Sequence, residues 1–179
     1  KSPPVILIGT LDYQAFFIVN IDTITFNTDA ESSGFEVELL AAPTEGLDLL
    51  LGLAYNDIEV EIGGRKVPSV QSPEWNFNAL VRYDGPVMGG KLAVQGDAVY
   101  RDDIIFALTA AETVSQDGYW VTNASISYTT DDEKWHASAF VKNLNDEEYL
   151  VQTFDLSGLD VFGMTEQYYG RPRWWGVSV

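Results

Sequence analysis

The chain has 179 residues, 46% of them hydrophobic, which suits one domain with a sizeable core or one part of a larger domain. Ten Lys and Arg stand against 27 Asp and Glu, and the net charge of −17 excludes nucleic acid as a partner, since phosphate recognition needs basic patches. There is no cysteine, which excludes a disulfide framework and thiolate metal sites, and no apolar run approaches the ~18 residues of a membrane-spanning helix.

The first four residues, Lys1-Ser2-Pro3-Pro4, carry no signal peptide. A strand is predicted near 5–14, and a longer one over 24–41, where Phe35, Val37 and Leu39 alternate with Glu36, Glu38 and Leu40. A short turn, Ala42-Pro43-Thr44-Glu45-Gly46, leads into a strand at 47–59. There Leu47, Leu49, Leu51, Leu53 and Tyr55 share one face against Asp48, Leu50, Gly52, Ala54 and Asn56. A polar loop over Glu59 to Ser72 precedes the strand at 73–84, with Trp75, Phe77, Ala79, Val81 and Tyr83 on one face. The turn from Asp84 to Gly90 is glycine-rich but lacks the Lys-Ser/Thr ending and following helix of a phosphate loop. The strand at 91–105 alternates Leu92, Val94, Gly96, Ala98 and Tyr100 with Ala93, Gln95, Asp97 and Val99. After a long loop, Arg101 to Gly118, come strands at 118–130 and 134–149, joined by the turn Thr130 to Lys134. The loop from Leu150 to Thr165 leads to a last strand at 166–179. No linker or second domain is visible.

Helical spacing explains none of these windows. Alternation would also suit a soluble sandwich with one wet face, but three features favour a membrane barrel. The strands run about 10 to 14 residues, where soluble ones run near 5 or 6. Aromatics sit at the ends of the apolar face: Trp75 with Tyr83, and Trp120 with Tyr128, are separated by ~20 Å of membrane normal at ~3.3 Å per residue and a tilt near 40°. With Tyr55, Tyr100 and Trp135 they would form the aromatic girdles that flank a barrel's apolar band. Finally, short turns alternate with long loops, as at the periplasmic and extracellular ends of such barrels. A repeat of about 44 residues also suits a propeller, but that fold needs four short strands per repeat.

Chemistry-bearing residues are sparse. Asp102-Asp103 and Asp131-Asp132-Glu133 read as solvated loop charge. His136, with lumen parity, has no second histidine or cysteine to share a metal. Glu36 and Glu38 read as lining a wet lumen, against the alternative of a plain solvated face. No serine has a histidine–carboxylate setting, so the chain reads as no enzyme, with no catalytic, metal or cofactor site. The loop aromatics Phe106, Tyr119, Phe154 and Phe162 are candidates for gripping a ligand, against the alternative of loop packing.

From Asn123 onward the chain resembles the C-terminus of TonB-dependent receptors. Trp135 to Tyr149 is similar to their penultimate strand, with the Asn-Leu-x-Asp-x-x-Tyr signature carried by Asn143, Asp146 and Tyr149. Tyr169 to Val177 is similar to their final strand, with Gly170, Pro172 and Arg173 in the Gly-x-Pro-Arg pattern. Asn27 to Glu38 and Pro43 to Leu47 also fit, so the resemblance covers most of residues 20 to 179. Asn143 and Asp146 would bond backbone locally at the strand's upper end, Tyr149 would mark the outer aromatic level, and Gly170 with Pro172 would set a bend.

The resemblance implies an all-β, antiparallel transmembrane barrel, here about eight of roughly 22 strands, with residues 1–179 as the C-terminal part. It implies an outer-membrane receptor that takes up a scarce solute (a ferric siderophore, haem, a cobalamin or a glycan) with TonB-coupled energy. The partners implied are outer-membrane lipid and lipopolysaccharide, TonB–ExbB–ExbD through a plug, the rest of the barrel on the same or another chain, and a surface lipoprotein where one exists. Neither plug nor TonB box lies in these residues, and the family usually ends in an aromatic residue where this chain has Val179. A fragment, or one polypeptide of a split receptor, is therefore expected. The other reading is a stand-alone eight-stranded barrel with an anchoring or adhesive role.

Overall fold

A computed structural model describes residues 5–19, 22–157 and 162–179. Thirteen strands follow one another: β1 (Val5–Val19), β2 (Asp22–Thr44), β3 (Leu47–Ile62), β4 (Arg65–Pro68), β5 (Trp75–Pro86), β6 (Gly90–Arg101), β7 (Ile104–Ile105), β8 (Ser115–Gln116), β9 (Tyr119–Thr130), β10 (His136–Lys142), β11 (Leu150–Leu156), β12 (Met164–Tyr169) and β13 (Trp174–Ser178). Eight of them form one antiparallel meander, β1-β2-β3-β5-β6-β9-β10-β13. The sheet does not close: β1 and β13 each pair on one side only.

Tight turns join the strands at one end. Gly46, at φ +76°, sits where a Cβ would run into the carbonyl of Asp84 on the next hairpin, so only glycine lets the two turns approach. Asp84 donates its N–H to Gly46 O at 2.7 Å, tying them together. The opposite end carries the long connections, and their described residues form further strand pairs. β4 folds back on β3, β7 pairs β8, and β11 pairs β12.

Register sets the two faces. Leu47, Leu49, Leu51, Leu53 and Tyr55 lie opposite Tyr83, Val81, Ala79, Phe77 and Trp75. The same row continues through Val94, Ala98 and Tyr100 to Ile126, Thr122 and Trp120. On the other face Asp48 lies opposite Arg82, Arg82 opposite Gln95, Gln95 opposite Ser125, and Asp97 opposite Asn123. One face is thus apolar and the other mostly polar, with Leu40, Leu50 and Leu80, Val99 and Val121, and Phe140 and Trp174 as apolar groups on the polar side. A single sheet layer cannot bury either face. The most buried residues, including Val60, Ile104, Val114, Tyr119 and Leu150, instead cluster at the loop end, where connections pack on the sheet.

Several expected boundaries shift. The first strand reaches Val19, but its register places it opposite residues 22–36 of β2, with Val5 at the level of Glu36. Since Phe35 lies opposite Tyr55, most of the β1–β2 ribbon extends beyond the aromatic row at the loop end, so about seven strands occupy the apolar band. The strand expected over 134–149 stops at Lys142, because Asn143 and Asp146 adopt φ +52° and +56°. The last strand is divided: β12 belongs to a loop-end hairpin, and pairing with β10 starts only at Trp174, after Pro172, which has no N–H to give. Similarly, the strand expected to end at 105 leaves the sheet after Arg101. Residues 1–4 and 158–161 of the predicted pattern lie outside the described residues.

Candidate functional site

Two features of the fold can carry function: the apolar outer face with its aromatic rows, and the packed connections at the loop end. On the outer face, Phe35, Tyr55 and Trp75 touch one another, with ring centroids 4.7 to 6.0 Å apart. Phe77 and Tyr100 flank Trp120 at 5.7 and 5.1 Å. These rings make a row at the loop end of the band. Tyr83, Tyr128 and Trp135 stand towards the turn end of the same face; Tyr128 donates its hydroxyl to Met88 O at 3.1 Å. In the last strand Trp175 joins the outer face opposite Val141, while Trp174 takes the other face and packs edge-on against Phe140 at 4.9 Å.

Beyond the loop-end row, three connections are bonded together. Thr109 Oγ1 donates to Asp155 Oδ2 at 3.0 Å, Gln167 Nε2 to Thr113 O at 2.9 Å, and Leu150 N–H to Gln116 Oε1 at 2.8 Å, joining the 102–118 connection to the β11–β12 hairpin. Gln71 N–H to Ile105 O, 2.8 Å, adds the 63–74 connection. Burial alone would raise the Asp155 carboxyl, but hydrogen bonds from Ser157, Thr109 and Thr165 outweigh it and hold the group below its usual range. Lys66 lies between Glu31 and Glu59; its bond to Glu31, above all, raises its ammonium group. Below this cap lies an open pocket of about 340 Å³ walled by Asn56, Asn76 and Arg101 from the polar face and by Ile104, Phe106 and Leu150 from the connections.

The bend after β10 is built by the signature residues. Asn143 is buried; its Nδ2 donates to Glu147 O at 2.8 Å and to Arg171 O at 3.1 Å, and its Oδ1 accepts from Glu147 N–H at 2.9 Å. Asp146 accepts from Arg173 N–H at 2.9 Å, holding the chain that leads into β13. Tyr149 stacks on Tyr119, with centroids 4.6 Å apart and planes at 17°, and covers Gly170, whose N–H donates to Tyr149 O at 2.8 Å. Sequence reasoning passed over Asn145. It accepts from Thr122 N–H at 3.0 Å and donates to Trp120 O at 2.8 Å, so its amide replaces the strand partner that β9 loses when β10 ends. An asparagine inside a predicted strand, where the residue type is disfavoured, is the signal that pointed there.

The four loop aromatics are not brought together. Phe106 lines the pocket, while Phe154 and Phe162 are about half exposed on and beyond β11. Tyr119 opens β9 and is 5% exposed. Asp102 accepts from the Tyr100 hydroxyl at 3.0 Å and Asp103 from Gly118 N–H at 2.8 Å. Asp132 is tied into its turn by Thr130 and Lys134, which hold its carboxyl low. His136 Nδ1 lies 2.9 Å from Thr129 Oγ1 on the polar face. Glu36 and Glu38 lie on the same face, opposite Ala54 and Gly52.

The family model described as TonB dependent receptor-like, beta-barrel matches residues 8–144. Among solved structures, the ferric yersiniabactin uptake receptor of Yersinia pestis is similar at 16% identity and TM-score 0.72, over 84% of this chain and 23% of that one. The ferric preacinetobactin receptor of Acinetobacter baumannii matches at 18% and 0.68, over 94% of this chain and 25% of that one. The ferripyoverdine receptor of the outer membrane of Pseudomonas aeruginosa, bound to ferripyoverdine, matches at 23% and 0.63, over 86% and 20%. The chain thus spans a quarter or less of the length of these receptors.

Proposed function

The chain belongs to the family of TonB-dependent receptor β-barrels, which are receptors of the bacterial outer membrane and not enzymes, and on that premise we propose that residues 1–179 form the C-terminal part of a barrel that takes up a ferric siderophore. The observation that carries the proposal is the pairing of an apolar, aromatic-edged outer face with a bonded cap of connections above a polar inner wall. An apolar band facing lipid fixes the sheet in the membrane. A mostly polar wall under hydrogen-bonded extracellular loops gives a soluble cargo a path with donors and acceptors.

Of the solutes the resemblance implies, ferric siderophores lead because the similar solved structures are receptors for ferric siderophores; haem, cobalamins and glycans are the other classes. Energy would come from TonB–ExbB–ExbD through a plug, with the remaining strands on the same or another polypeptide pairing the free edges of β1 and β13. Lipid and lipopolysaccharide would contact the outer face, and a surface lipoprotein, where one exists, the loop cap. Tyr55, Trp75, Tyr100 and Trp120 would anchor the barrel at the outer interface and Tyr83, Tyr128 and Trp135 at the inner one. A stand-alone eight-stranded barrel finds no support in an open sheet with about seven strands in the apolar band.

The test has two parts. Intact mass of the protein from native outer membranes should be near 70–100 kDa, the size of ~22 strands with a plug. Deletion of the gene should abolish uptake of at least one ferric siderophore under iron limitation. A monomer near 20 kDa without a bound partner, or unchanged uptake of every solute class tried, would overturn the reading.

A further inference from the structure

The pocket under the loop cap has a composition that the whole chain does not share. In a chain of net charge −17, its lining holds one cation, Arg101, and no carboxylate. The two acids that follow Arg101 are committed elsewhere: Asp102 to the Tyr100 hydroxyl and Asp103 to Gly118 N–H. Among the described residues no Asp or Glu lies within ion-pair distance of the Arg101 guanidinium. Arg101 lies opposite Asn76 in register and both line the pocket; Asn76 Nδ2 gives one N–H to Pro73 O at 3.3 Å and keeps the other, while Ile104, Phe106 and Leu150 supply an apolar wall.

A guanidinium offers a planar fork of donors that matches a carboxylate; that of Arg101 meets the Tyr119 hydroxyl but no acid, so its remaining N–H donors and its charge are left for a ligand. A phosphate dianion would call for a second cation, and a bare metal ion for the carboxylates that the lining lacks. The pocket volume, about 340 Å³, is within the usual range for small-molecule sites. We propose that this pocket binds a carboxylate carried on an apolar or aromatic body, with the carboxylate on Arg101 and Asn76 and the body against Ile104, Phe106 and Leu150. The proposal rests on the receptor reading for its biological role: the group would be part of the incoming solute, and would select among ferric complexes by a free carboxylate that is not bound to iron.

The test uses the full-length receptor in detergent micelles, titrated with benzoate and with benzamide, two probes of one ring that differ in charge. Ligand-observed NMR should give benzoate at least about a tenfold preference, the scale of a charged hydrogen bond. Arg101→Gln should remove that preference, Arg101→Lys should keep part of it, and Lys142→Gln, a cation outside the pocket, should leave it unchanged. Heat-modifiable migration on gels establishes that each variant is folded. No detectable benzoate binding, equal binding of the two probes, or a preference that survives Arg101→Gln overturns the proposal. Radiolabelled-iron uptake by the deletion strain tests the receptor reading separately. Gene-dependent iron uptake without a benzoate preference sinks the pocket alone; an Arg101-dependent preference without gene-dependent uptake supports the pocket and sinks the uptake reading.

Discussion

Gly170→Ala isolates the clamp that leads into the last strand. A Cβ built on Gly170 lies 2.5 and 2.6 Å from Cε2 and Cε1 of Tyr149, inside any real carbon–carbon contact. The ring cannot retreat, because its other face stacks on Tyr119, which is itself buried. The backbone cannot give way either, since Gly170 N–H is bonded to Tyr149 O at 2.8 Å. Overpacking of this kind costs about 1–3 kcal/mol, and a lost ring stack roughly 0.5–1.5 more, so a destabilisation of roughly 2–4 kcal/mol is expected. Gly96→Ala is the control. Its Cβ would meet nothing closer than Asn123 O at 3.9 Å, and its effect should stay within about 0.5 kcal/mol. The assay is urea unfolding of the full-length barrel in lipid vesicles, followed by tryptophan fluorescence, with a double-mutant cycle to Tyr149→Ala. The cycle should show a coupling of about 1 kcal/mol or more, because the smaller side chain removes the clash. Equal midpoints for Gly170→Ala and the parent, or strict additivity with Tyr149→Ala, would refute the reasoning.

Asn143→Ala removes two donated bonds and one accepted bond, and leaves alanine at φ +52°, so a loss of roughly 3 kcal/mol is expected in the same unfolding assay; Asn143→Asp, which keeps only the acceptor, should fall in between. The Asp155 carboxyl is held low, so its bonds stabilise the loop cap fully above about pH 4 and are lost as pH falls through the depressed value. Protection factors for hydrogen exchange of residues 109–113 and 150–157, taken relative to the intrinsic rate at each pH, should therefore fall in acid, and Asp155→Asn should flatten that dependence; a parent whose protection does not change in acid would contradict this. In single-tryptophan variants, brominated lipid should quench Trp75, Trp120 and Trp175 on the outer face, and spare Trp174 on the polar face. Equal quenching of Trp174 and Trp175 would mean that the faces are assigned the wrong way round.

The amino-acid sequence by itself determined which face each strand residue takes. Alternation is a local property, and antiparallel pairing carries it from strand to strand, so Leu47 to Tyr55 and Trp75 to Tyr83 end on one apolar face. The short turns were equally legible, because Gly46 and the segment from Asp84 to Gly90 carry their own turn chemistry. The signature residues Asn143 and Asp146 pointed to local backbone bonding at the strand's upper end, although neither the bonds they make nor the strand's stop at Lys142 was visible.

Tertiary structure decided the rest, and the reason is distance along the chain. Nothing near Tyr119 along the chain shows that Tyr149, thirty residues on, stacks on its ring. Asn145 serves β9 only because β10 stops short. The last predicted strand divides at Gly170 and Pro172 because Met164–Tyr169 finds a closer partner in Leu150–Leu156 than in the sheet. The pocket follows the same logic: Asn56, Arg101 and Leu150 are remote in sequence, and only the register of β3, β5 and β6 and the bonding of the loop cap place them around one space. Period-two patterning specifies a surface residue by residue, whereas a concave site depends on which surfaces meet.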